Sequence, residues 1–101
     1  MNAHSQQFLE AFIAIEQHLA SMSGLPHGSP FSQQVDTLRQ HNHAVRAYAE
    51  DLKAFARLRN VIVHERGGGQ VLAEPNQWAV NRILTVRDLL LKPLTVGQFI
   101  T

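Results

Sequence analysis

From Phe31 to Glu65 the chain contains neither glycine nor proline. Within that stretch Val35, Leu38, Asn42, Val45, Ala49, Leu52, Ala56, Arg59 and Val63 recur at spacings that alternate between three and four. That is the period of one helix face, not the two-residue alternation of a strand. The stretch therefore predicts one long helix, or two in succession, with a seam that another element must cover. A break is expected near His41-Asn42-His43, because Asn and His are weaker helix formers than the Ala, Leu and Arg around them.

The flanks follow the same pattern. Phe8, Phe12, Ile15, Leu19 and Met22, widened by Leu9 and Ile13, predict a first helix over Ser5 to Met22. Gly24-Leu25-Pro26-His27-Gly28-Ser29-Pro30 breaks it, with Ser29 placed to cap the next helix and Pro30 at its first position. Gly67-Gly68-Gly69 is expected to end the long helix, and Gln70 to Ala73 to be extended. Pro75-Asn76 opens a last helix with Val80, Ile83, Leu84, Arg87, Leu90 and Leu91 on its apolar face, and Lys92-Pro93 stops it. The apolar tail, residues 94–101, reads as a linker to a downstream domain. The sum is a single all-α domain over residues 1–101, a four- to five-helix antiparallel bundle.

With 101 residues, 45% apolar and 17% charged, the chain can build one small core. A net charge of +1 gives no global basic footprint, so any contact with nucleic acid must come from a local cluster. The absence of cysteine excludes disulfides, thiolate catalysis and Cys-ligated zinc, and fits a reducing compartment. The N-terminus lacks a basic n-region, and no apolar run approaches the about 20 residues needed to span a bilayer. The expectation is a cytoplasmic protein without membrane contact.

Such a local cluster lies in Arg57-Leu58-Arg59-Asn60-Val61-Ile62-Val63-His64-Glu65-Arg66. On an ideal helix Arg46, Glu50, Lys53, Arg57, Asn60 and His64 form one polar, mainly cationic stripe beside the apolar seam. Glu50 can offset Arg46 and Lys53 as helical neighbours, which leaves Arg57 and His64 as the less compensated end. Arg59 lies on the seam itself, where a guanidinium is costly unless paired or bound. Five residues separate Arg59 from His64, roughly 7.5 Å of rise and about 140° of rotation, so the two converge only through a second copy of the helix or an unwound end.

Arg59-Asn60-x-x-x-His64 resembles the R-x4-6-H signature, commonly written RNxxxH, of the HEPN superfamily of small helical proteins, and Arg57 satisfies the looser spacing. The resemblance implies a helical bundle, a homodimer with a cleft between its subunits, and metal-independent endoribonuclease activity of the kind found in toxin-antitoxin and defence systems. It implies His64 as general acid/base, Arg59 as phosphate stabiliser and Asn60 as orienting residue, with Lys53, Arg57 and Arg66 holding the RNA backbone and no cofactor or metal. The tyrosine that partner-modified toxins carry two residues after the histidine is Arg66 here, so that subtype is not expected. A second resemblance links Val71-Leu72-Ala73-Glu74-Pro75 and the region up to Val96 to the segment preceding the CBS pair of some bacterial multidomain proteins.

Two readings therefore stand beside each other. One is a ribonuclease acting on RNA, with a protein antitoxin as a candidate partner. The other is a non-catalytic dimerisation, regulatory or nucleotide- or RNA-binding module of a larger CBS-containing protein. His41 and His43 point to different faces and make a poor metal pair. His4, His18 and His27 read as surface or boundary residues, Gly67-Gly68-Gly69 as a flexible cap, and Leu89-Leu90-Leu91 as core or interface. Trp78 reads as core or dimer contact before base stacking.

Overall fold

A computed structural model of the protein describes residues 3–67 and 74–91, without the side chains of 63–67. Four helices carry the described chain: α1 (Ala3–Ser23), α2 (Phe31–Leu38), α3 (His43–Gly67) and α4 (Gln77–Leu91). The expected cap at Gly68 and Gly69, the extended Gln70 to Ala73, the Lys92-Pro93 stop and the 94–101 tail lie outside the described residues.

One core joins all four helices. Phe8, Phe12, Ile15 and Leu19 of α1, Val35 of α2, Val45, Leu52 and Ile62 of α3, and Ile83 and Val86 of α4 are all fully buried. Apolar burial on that scale is the main force holding so short a chain together, at about 1.5–3 kcal/mol for each large side chain. The sequence seam holds through Ala49 and Leu52 and is displaced beyond them. Phe55 and Ile62 fill the inward positions, whereas Ala56 stays at the core's edge. The helix is kinked at Tyr48, whose φ of −112° and ψ of 16° lie outside the helical region. On α1, Ile13 and Met22 face outward, while Ala11 and Ser5 are buried in their stead. Ser5 is satisfied because its hydroxyl donates to Glu74 Oε1 at 2.8 Å, tying the start of α1 to the approach to α4.

The break in the long stretch falls at Arg39 to Asn42, and Asn42 makes it. Its Oδ1 accepts from the Val45 backbone N–H at 3.0 Å, an N-cap for α3. Asn76 does the same for α4, accepting from Ala79 N–H at 2.8 Å. Ser29 does not cap α2. Its hydroxyl turns back to the Pro26 carbonyl at 2.7 Å, and Pro30 takes the cap position with no side-chain bond. Gly24, at φ 71°, lets the chain leave α1 in the left-handed conformation.

α2 and α3 form an antiparallel hairpin that is bridged by charge along its outer side. Lys53 Nζ lies 2.7 Å from Asp36 Oδ1, and Arg39 reaches both Asp36 and Glu50 at 3.8 and 4.0 Å. On the other side of α3, Arg82 of α4 pairs with Asp51 at 2.9 Å and stacks 5.4 Å from the Tyr48 ring centroid, pinning the kink. No described helix is long and apolar enough to cross a membrane.

Candidate functional site

The seam between α1 and α3 is a short aromatic ladder. Phe8 meets Phe55 edge to face, with centroids 5.9 Å apart at 82°. One turn further along both helices, Phe12 meets not an aromatic residue but Arg59, whose guanidinium carbon stands 5.0 Å from the ring centroid. Phe12 in turn tilts against Phe31 at the start of α2, 4.9 Å away.

Arg59 is partly buried, and its Nε is sealed from solvent with no hydrogen-bond partner among the described residues. A desolvated cation–π contact contributes about 0.5–2 kcal/mol. A buried N–H left unpaired costs about 1–3 kcal/mol. The two ranges overlap, so the guanidinium stands close to neutral for the stability of the fold.

Asn60 and Arg57 lie exposed on the outer side of α3. Arg57 forms no hydrogen bond or ion pair with any described residue, so its charge is available to an anion. The stripe that contains them is not uniform. Arg46 Nε and Nη2 donate to the Arg39 and Gln40 carbonyls at 2.9 and 3.2 Å, closing the end of α2. Lys53 is engaged by Asp36, and Glu50 faces Arg39 in place of either expected neighbour. The Lys53 ammonium hydrogen-bonds Asp36 and holds its carboxyl below the ordinary carboxylate range. Desolvation opposes this in part, and the Lys53 and Arg39 charges add smaller lowering effects.

The backbone of α3 runs as helix through His64 to Gly67; the side chains of His64 and Arg66 lie outside the described residues. The helix does not unwind between Arg59 and His64, so the roughly 7.5 Å of rise and about 140° of rotation between them stand. Within one copy of the chain these two positions face different directions, whereas Asn60 and His64, four apart, share one stripe.

Trp78 does not fill the core, being 68% exposed on the outer side of α4, and Leu89 further along that helix is 49% exposed. Leu90 is buried. His27, His41 and His43 are exposed and His4 and His18 partly buried. No cluster of three or more potential metal ligands occurs among the described residues. Sequence reasoning did not connect Phe12 with Arg59. Its spacing is that of any core aromatic, and only the structure places its ring under Arg59.

In comparison with known proteins, a family model described as ribonuclease HepT-like fits residues 3–65. Neither a curated protein nor a solved structure matches the chain.

Proposed function

This chain belongs to the ribonuclease HepT-like family, and from that premise we propose that it is a HEPN-type endoribonuclease domain whose Arg59, Asn60 and His64 cleave RNA. The observation that carries the reading is the guanidinium of Arg59, held on the apolar seam with a buried, unpartnered Nε. An anionic substrate supplies the counter-charge that position lacks.

In the proposed reaction the His64 imidazole, acting in its neutral form, takes the proton of an RNA 2′-hydroxyl. The 2′-oxygen attacks the adjacent phosphorus, the bond from phosphorus to the 5′-oxygen breaks, and an imidazolium returns a proton to that leaving oxygen. Arg59 stabilises the charge that gathers on the phosphoryl oxygens. Asn60, on the histidine's stripe, orients it or the phosphate. The products are a 2′,3′-cyclic phosphate and a 5′-hydroxyl, reached with side chains alone. Arg57 and Arg66 hold the RNA backbone, and Lys53 contributes less because Asp36 already engages it.

Because α3 is continuous between them, an arginine and a histidine border one pocket most directly when a two-fold homodimer sets two motifs face to face. The reading is tested by incubating purified protein with RNA in excess chelator. Wild type is expected to release fragments with cyclic phosphate ends, and His64→Ala none. Equal cleavage by the two proteins would overturn it.

The exposure of Trp78 and Leu89 supports a second reading, a dimerisation or regulatory module of a larger protein, for which a downstream CBS pair is one candidate. A folded dimer that binds RNA or nucleotide and leaves RNA intact would favour it.

A further inference from the structure

Phe12 stands where three helices meet. Its ring is 1% exposed, tilted at 43° against Phe31 of α2, and covered by Arg59 of α3. A ring packed at core density on one side cannot follow a flexible side chain on the other. An arginine left to itself samples many rotamers, and its planar fork is useful for bidentate phosphate contact only when the plane is fixed. Here the Phe12 ring covers the guanidinium on one side, and the Nε edge lies buried against the core. Neither terminal nitrogen donates to any described residue.

We infer that Phe12 is the positioning residue of Arg59, its ring seating the guanidinium so that the terminal nitrogens form the edge that meets the RNA phosphate; this rests on the role given to Arg59 above. Leucine in place of Phe12 retains apolar bulk and removes the quadrupole that seats the cation. Misplacing a transition-state group by about 1 Å is enough to slow a reaction by up to about a hundredfold.

The test combines a mutant cycle with a spectroscopic signature on the full chain. Phe12→Leu is expected to lower kcat about tenfold to a hundredfold with KM little changed, and to cause no further loss in an Arg59→Ala background. The Arg59 Nε–H resonance, assigned by its disappearance in Arg59→Ala, is expected to be ring-current shifted and slow to exchange in wild type, and to lose both properties in Phe12→Leu. Equal fractional losses of cleavage in both backgrounds would overturn the inference, as would an unshifted, fast-exchanging resonance in wild type. The wild-type resonance decides the matter even if Phe12→Leu fails to fold. A wild-type protein that leaves RNA intact would end the catalytic reading of Arg59, while the resonance would still support or refute the seat itself.

Discussion

Arg59 and Phe12 face each other across α3 and α1 with the guanidinium carbon 5.0 Å from the ring centroid, so the cation on this seam is met by an aromatic face and not by a carboxylate. Arg59→Met exchanges that contact and its orphaned Nε for apolar packing. Its melting temperature is expected to equal or exceed that of wild type, while RNA cleavage falls by at least about a hundredfold. Thermal unfolding and a cleavage assay on the same preparation check both halves.

Arg57 is exposed and engages no described residue. If it meets an RNA phosphate, Arg57→Gln should reduce the dependence of log K on log salt by about 0.7, the increment for one phosphate contact on a single strand. Titration of a labelled RNA at several salt concentrations measures this, and an unchanged slope would remove Arg57 from the RNA path.

Asp36 is held below the ordinary carboxylate range by its hydrogen bond from Lys53. A carboxyl with a depressed folded-state pKa stabilises the fold above its unfolded value, and that contribution is lost as pH falls through the folded value. Asp36→Asn should therefore be less stable than wild type near neutrality. The gap should close at pH values below the ordinary carboxylate range and narrow in high salt, since the pair is exposed. Denaturant midpoints across a pH series show whether it does.

The caps Asn42 and Asn76 each accept one backbone N–H at the start of a helix. Asn42→Ala and Asn76→Ala are each expected to cost about 1 kcal/mol, or about 4–8 °C in melting temperature. They serve different helices and share no partner, so the double variant should show close to the sum.

How much of this was legible in the sequence follows from what each signal depends on. Helix content and class came through because the three-four spacing of Val35, Leu38, Val45, Ala49 and Leu52 depends only on the chain itself. The displacement to Phe55 and Ile62 did not, because a step of three or of four from Leu52 is equally helical and only the packed neighbours decide which one is covered. Asn42 drew attention as a weak helix former, whereas its work is to accept the Val45 N–H. Ser29 was expected to cap and instead bonds within its own turn. The motif Arg59-Asn60-x-x-x-His64 was visible as a string. What the string could not show was that Arg59 rests on Phe12, nor that Lys53 and Arg46 are occupied inside the α2–α3 hairpin.

The family segment closes at residue 65, yet α1 makes its most extensive contacts with α4, which lies wholly beyond it. A polypeptide trimmed to that segment would retain every motif residue while stripping one flank of α1 bare and releasing Tyr48 and Asp51 from Arg82. The matched segment is thus shorter than the packed core, and the helix beyond it supplies the wall against which α1 is closed.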